Sequence, residues 1–431
     1  MSTAALIVTL GSIVLGALLA LMMIPVLVWL ERRIAGLIQD RVGPNRTNIL
    51  GFRLGGVVQS FADVIKLVFK EEYYPGHIKT GRWLYIIAPA ITFSAALLAF
   101  MVIPFADTVQ FGGESLRIQP LPVDYGVLWY LAIGALGMIG IFFGGWLSHN
   151  KYSLLGTQRA GSMGLSYELP LGLAVVSMML TYNTIDFNEM VRWQSGTVLG
   201  VVPAWGILVQ PLAFIIFVVA IFAETNRAPF NVVEGESEII SGHMTEFSAM
   251  KFALYFMGEY IAMNSASAVV ITMFLGGYQL PWLSTEMLNI HFGIVALALM
   301  AVLPLFLFVI IRWMRRNNSV RTTVSTDGGR DFETKVLTYA LIGMGVVLEL
   351  ILGCFVFFGG GGTGTAIAVI LLQIAVFVFK LMCFNIFFIV VRWTLPRFRF
   401  DQVQTLGWHY LLPLSLLNIF VTAIVIVEVG L

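Results

Sequence analysis

The chain has 431 residues, 58% hydrophobic and only 11% charged, with a mean hydropathy of +0.89. Soluble domains carry about 25% charged residues, so a water-soluble globular fold is excluded and an all-α polytopic membrane protein is indicated. The formal net charge of +1 conceals a strong asymmetry between loops, and nucleic acid is not an expected partner.

Taking a run of about 20 apolar residues as one span, ten transmembrane helices are expected in a single membrane domain. They lie near 5–30, 83–105, 125–147, 165–182, 205–223, 250–275, 289–312, 336–358, 365–391 and 408–428. Residues 2–30 carry no charge and the first bases, Arg32 and Arg33, follow the apolar run. That order lacks the basic start and small-residue cleavage site of a removable signal peptide, so the segment is expected to stay as the first span.

The loop 31–82 contains "LGGVVQSFADVIKLVFKEE". There Gln59, Asp63, Lys66 and Lys70 step by four, three and four, while Leu54, Val57, Val58, Phe61, Ile65, Val68 and Phe69 take the other face. This is the pattern of an amphipathic helix lying in the membrane interface. Simple surface anchoring would explain such a helix by itself.

Loops joining odd to even spans hold 22 of the 25 Lys and Arg: nine at 31–82, two at 150–164, two at 224–251, six at 312–335 and three at 392–407. By the positive-inside rule these loops face the cytoplasm and both termini face away from it. Only Arg117 and Arg192 fall on the other side, and Lys380 lies within a span.

The third of these loops, 224–249, begins within "AETNRAPFNVVEGESEIISGHMTE", which carries five glutamates and one arginine. Acidic residues contribute little to orientation, so topology does not account for them. Glu234, Glu236 and Glu238 stand two apart and share a face if extended; in a helix Glu234 and Glu238 share one and Glu236 turns away. Either arrangement is expected to titrate as a coupled group. A solvated acidic loop is the plain alternative. Arg227 and the turn preset by Ala228–Pro229 weigh against it, since they fix the backbone beside a neutralising charge.

Further along, Gly359 to Gly362 with Thr363 and Gly364 lacks the lysine and preceding strand of a phosphate loop and reads as a turn. His243 and Glu246 lack the second histidine of a zinc protease. Cys354 and Cys383 lie in apolar segments without metal-ligand or disulfide spacing. No redox cofactor is assigned to this chain alone.

A charge at mid-bilayer costs on the order of 3 kcal/mol, so ionisable groups there face partners or water. Those in or beside the spans are Glu168, Glu224, Glu259, Glu349 and Lys380. A snorkelling group or structural ion pair is the bland reading of each. Together with the acidic loop, Glu168, Glu224 and Glu259 outline a path for protons, because burial and like-charge neighbours tune carboxylates toward neutral pH.

Several polar motifs now combine in order: "LERRIAGLIQDRVGPNR", "ADVIKLVFKE", "NKYSLLG", "SYELPLGL", "AETNRAPF", "SGHMTEFSAMKFALYFMGEY" and "LPRFRFDQVQTLGW". In this combination the chain resembles the H-type, quinone-site membrane subunit of respiratory complex I, the proton-translocating NADH:quinone oxidoreductase. The resemblance covers almost everything outside 285–360. It implies a subunit inactive alone, which builds a chamber for ubiquinone or menaquinone with hydrophilic quinone-site and iron-sulfur partners and contacts small membrane-arm subunits. FMN and the iron-sulfur clusters would sit on those partners. The expected home is the bacterial inner (plasma) membrane.

Carried over by position, the resemblance assigns Glu31, Arg32, Arg41, Asp63, Lys66, Arg227, Arg392, Arg397, Arg399 and Asp401 to the quinone chamber. It assigns Glu168, Glu224, Glu234, Glu236, Glu238, Glu246, Glu259 and Lys380 to proton relay. It implies no catalytic acid and no metal in this chain. Two departures stand out. Asn231 replaces an aspartate usual after "APF", and residues 286–360 add a two-span hairpin to a family core of eight, with Glu349 read as structural. The equivalent subunit of a membrane-bound hydrogenase-type complex is the alternative reading, disfavoured by closeness of match. A stand-alone secondary transporter is disfavoured because no repeated half with matching broken helices is evident.

Overall fold

The computed structural model describes residues 3–41, 43–44, 47–48, 54–76, 78, 81–111, 114–198, 200, 202–319, 329–358 and 362–429. The elements are helices, with two short antiparallel hairpins, β1 (Ala106–Phe111) with β2 (Glu114–Ile118) and β3 (Thr197–Val198) with β4 (Val202–Pro203). The first half of the chain forms α1 (Thr3–Ile38), α2 (Val58–Phe69), α3 (Arg82–Phe100), α4 (Gly126–Leu147), α5 (Lys151–Tyr182), α6 (Phe187–Trp193), α7 (Gly206–Val209) and α8 (Pro211–Glu224). The second half forms α9 (Glu236–Ile239), α10 (Ala249–Phe274), α11 (Thr285–Ser319), α12 (Gly329–Phe358), α13 (Gly362–Thr394), α14 (Phe400–Thr405) and α15 (Leu412–Val429).

All ten expected spans fall on helices. Among the described residues eight helices are long and apolar enough to cross a membrane. The other two expected spans fall on α12 and on the 14-residue α8. At 1.5 Å per residue α8 covers about 21 Å, short of a hydrocarbon core of about 30 Å. Its span is broken at Gln210, whose backbone (φ −132°, ψ 63°) leaves the helical region just before Pro211. The side chain of Gln210 donates to Thr181 Oγ1 at 3.2 Å and Thr422 Oγ1 at 2.9 Å, so neighbouring helices hold the break in place.

Two boundaries differ from those expected. The first helix does not stop at 30 but runs through Glu31 to Ile38, because Glu31 turns inward to buried bases instead of entering a loop. The fourth span starts not at 165 but at Lys151. Asn150 caps it, accepting from the Tyr152 amide at 2.9 Å, so most of the expected loop 150–164 is helix.

The position of each helix follows from how much of it is covered. Within their most apolar windows, α10 is 72% buried and α11 only 6%, which places α10 at the centre and α11 at the rim. Small residues let the central helices approach closely: a side chain at Gly140 would collide with Thr92 and with the Ala88 carbonyl of α3. On α2, Phe61, Ile65, Val68 and Phe69 face outward, while Asp63 turns to Arg32 of α1. An apolar face left outward suits a helix resting in the membrane interface.

Candidate functional site

At the acidic-loop end of the bundle, Glu31 of α1 binds two arginines from distant parts of the chain. Its Oε2 accepts from Arg227 Nη1 at 3.0 Å and from the Tyr260 hydroxyl at 2.6 Å, and its Oε1 meets Arg392 Nη1 at 2.5 Å. Arg227 also lies 4.2 Å over the Tyr260 ring. Burial pulls the Arg227 pKa down, yet the charge of Glu31, with Tyr260 and Glu259, more than offsets this and holds the guanidinium above its ordinary range. Glu31 and Arg227 are 6% and 3% exposed, so this pair is removed from water, while Arg392 is half-buried at its edge. Arg227 Nε and Nη2 are buried with no hydrogen-bond partner among the described residues.

The acidic loop then divides. Glu234 accepts from Asn231 Nδ2 at 2.7 Å and its own amide donates to Asn231 Oδ1 at 3.2 Å, which holds the carboxylate within electrostatic reach of Glu259. Glu238 faces outward to Arg159 at 2.6 Å. Glu234 and Glu238 therefore take different partners; the side chain of Glu236 lies outside the described residues. Beneath the loop, His243 is 1% exposed. Burial pushes its pKa down to about 4, partly offset by Glu234, so it packs as a neutral ring against Tyr255.

Asn231 is thus a hinge of the site rather than a gap in it. An Asn231→Asp substitution would set a second carboxylate about 2.7 Å from Glu234. Like charges this close raise the proton affinity of the pair. The pair would keep its proton to higher pH, so the corresponding limb of a pH profile of turnover is expected to move upward. An unchanged profile would place Asn231 outside the proton path.

Between α3, α4, α10 and the end of α8 lies a cavity of about 80 Å³. Its lining includes Tyr130, Glu224, Asn226, Glu259 and Ser265. One water needs roughly 10–15 Å³ measured in this way and two to four polar partners, so the cavity suits several waters. Glu224 Oε2 is buried there with no hydrogen-bond partner among the described residues. Glu168 stands exposed on the outer face of α5, close enough for its charge to act on Glu224. The carboxylates Glu234, Glu259, Glu224 and Glu168 thus form a series from the loop to the outer surface of the bundle.

A second cavity of about 350 Å³ opens between α1, α2 and α10. Val28, Leu67, Phe252, Phe256 and Met257 make an apolar wall, and Arg32, Asp63, Lys66 and Lys70 are its charged groups. Arg32 and Asp63 pair at 2.6 Å.

Other expected site residues lie apart from these features. Arg397 and Arg399 are exposed on the turn before α14 and Asp401 is exposed in its first turn; the turn reaches the acidic loop through the Phe398 amide, donating to the Pro229 carbonyl at 3.0 Å. Arg41 is exposed and donates to Gln39. Glu246 accepts from Asn150 at 2.6 Å and ties α5 to the loop. Lys380 donates to the carbonyls of Leu275, Gly277 and Gln279 at 2.7–2.9 Å. These carbonyls close the end of α10 opposite Glu259, sixteen residues and about 24 Å of helix away from it. Tyr260, Tyr130 and Ser265 complete the site without having been singled out in the sequence. Tyr260 follows Glu259 in "GEY", and no sequence signal marked the other two.

The arrangement is that of a polytopic helical membrane protein with carboxylates set among its spans, beside an inward charge cluster and a small, mostly apolar cavity. The family model described as NADH dehydrogenase matches residues 10–323 and 333–423. The H subunit of the NADH-quinone oxidoreductase of Flavobacterium psychrophilum is 34% identical over 415 residues, covering 96% of each chain. That of Thermomicrobium roseum is 34% identical over 418 residues, covering 96% of this chain and 94% of its own. An H subunit of the Solibacter usitatus oxidoreductase, numbered 1 in that organism, is 35% identical over 408 residues, covering 92% of this chain and 91% of its own. The chain belongs to the NADH dehydrogenase family, among the membrane-embedded H subunits of NADH-quinone oxidoreductase. The family match runs through most of the segment 286–360 and is interrupted only at 324–332, in the connection between α11 and α12.

Proposed function

We propose that this chain forms one wall of the quinone chamber of complex I and converts the charge change of quinone reduction into proton movement. The observation that carries this reading is the series of carboxylates leading from the Glu31–Arg227–Arg392 cluster, through Glu234 and Glu259, to the cavity at Glu224. The cleft between α1, α2 and α10 fits a quinone, since an apolar wall suits a tail and a few convergent polar groups suit a head. Reduction to quinol takes up two electrons and two protons, with the electrons delivered from an iron-sulfur cluster and FMN on partner subunits. Arg32, Arg41, Lys66 and the 397–401 turn would meet the hydrophilic partners that complete the chamber.

Within this chain the work is electrostatic. A negative charge arriving beside the cleft weakens the hold of Arg227 and Arg392 on Glu31 and so alters the field at Glu259. A proton then passes between Glu234 and Glu259, which stand within electrostatic reach of each other. Waters in the cavity would carry it to Glu224, and Glu168 would pass the change outward to the next membrane-arm subunit. A local charge event is thereby read out along buried groups. Both termini would face away from the cytoplasm, with the acidic loop and cleft on the cytoplasmic side.

A bulky side chain in the cleft tests the quinone reading. Met257→Trp fills part of it, and overpacking costs about 1–2 kcal/mol. In the purified complex the KM for a long-tailed quinone is expected to rise roughly tenfold. NADH oxidation by ferricyanide, which bypasses the chamber, should be unaffected. An unaltered KM would remove the cleft from the quinone path.

A further inference from the structure

The rim helices α11 and α12 enclose a groove of about 700 Å³ between them. Its walls are apolar, with Leu307, Phe308 and Ile311 on α11 and Ile342 and Val346 on α12. Arg312 and Arg315, from the last turns of α11, line the same groove, and so does Glu349. Both arginines are exposed, and among the described residues neither forms an ion pair. Trp313 beside them is 65% exposed, as an aromatic anchor at a membrane-water boundary would be.

We propose that this groove binds one anionic phospholipid, its phosphate held by Arg312 and Arg315 and an acyl chain lying along Leu307, Phe308 and Val346. Three features select that ligand. The groove opens on a helix whose apolar surface is almost entirely uncovered within this chain, as suits a lipid-facing rim. Its charges do not balance internally: two guanidinium groups line it at the end of α11, the single carboxylate, Glu349, lies further along at the level of Pro304, and one phosphodiester charge offsets the excess. Finally, the cations stand at the end of α11 that carries its basic run, where basic pockets between membrane helices meet anionic headgroups. A phosphatidylcholine fills the apolar part equally well but brings a third cation to the two arginines.

The test is native mass spectrometry of the intact purified complex, delipidated in detergent and titrated with phosphatidylglycerol or phosphatidylcholine. Phosphatidylglycerol should bind the more tightly. R312Q/R315Q should weaken its binding roughly 30-fold, the product of about fivefold per arginine, and leave phosphatidylcholine unaffected. R312K/R315K should restore the preference, which a merely misfolded hairpin would not. Val346→Trp, which fills the groove, should reduce binding of both lipids. Equal binding of the two lipids would overturn the proposal. So would undiminished phosphatidylglycerol binding in R312Q/R315Q, or photocrosslinking from position 346 to a neighbouring protein helix instead of to lipid.

Discussion

Replacing Glu31 by glutamine is expected to leave little assembled complex in the membrane. The carboxylate is almost fully buried and joins Arg227 at 3.0 Å, Arg392 at 2.5 Å and Tyr260 at 2.6 Å. Its removal leaves two guanidinium groups facing a neutral amide. Breaking a buried ion pair by deleting one partner costs about 3–5 kcal/mol, because the remaining charge is stranded without water. That is a large part of the 5–15 kcal/mol that holds an ordinary domain folded. Replacing the pair by groups of similar volume is often nearly neutral, so Glu31→Gln combined with Arg227→Met should recover most of the loss. Native gels of solubilised membranes would read the amount assembled, and the double-mutant comparison isolates the pair. A Glu31→Gln complex present at normal amounts would show that Arg227 and Arg392 find other partners.

The second large effect is expected at the cavity. Glu224→Gln and Glu259→Gln keep the shape of each side chain but remove its ability to release a proton. Both residues line the same small cavity, and Glu224 Oε2 has no fixed hydrogen-bond partner among the described residues. Assembly should therefore be retained, while proton translocation coupled to NADH oxidation falls on the order of 10²-fold, as when a positioned acid or base is deleted. Glu238→Gln is the matched control. It removes a carboxylate from the same loop, but one paired with Arg159 near the surface, where an ion pair contributes about 0–1 kcal/mol. That variant should pump nearly normally. Full pumping by Glu259→Gln would exclude the cavity from the path, whatever the behaviour of Glu224→Gln.

The contrast between Glu234 and Glu238 also shows what could be read in the sequence of this loop. Its concentration of carboxylates was evident, but the partner of its one arginine was not: Arg227 pairs with Glu31 of α1 and not with a loop carboxylate. Which carboxylate turns inward was not evident either, because residues at 234 and 238 have the same charge and similar neighbours in the chain. Asn231 decides it, by holding Glu234 toward α10, whereas Arg159 of α5 draws Glu238 outward. Lys380 gives the opposite case. A lysine within an apolar span is a natural member of a charge relay, but here its three bonds go to the carbonyls that end α10. No local pattern announces that use, since the carbonyls lie about a hundred residues away in the chain.

By itself the sequence determined the membrane class, the positions of the apolar helices, the interfacial pattern of α2 and the family motifs. Each rests on local quantities: transfer of apolar side chains out of water, helical periodicity, and short runs of particular residues. The tertiary structure alone decided that α1 continues past Glu31 and that the fifth span breaks at Gln210. It also decided that Glu224 and Glu259 share a cavity and that Glu31 lies between bases 196 and 361 positions further along the chain. The reason is physical. A charged or polar group leaves water only where partners compensate it, and those partners are brought together by helix packing rather than by proximity in the chain.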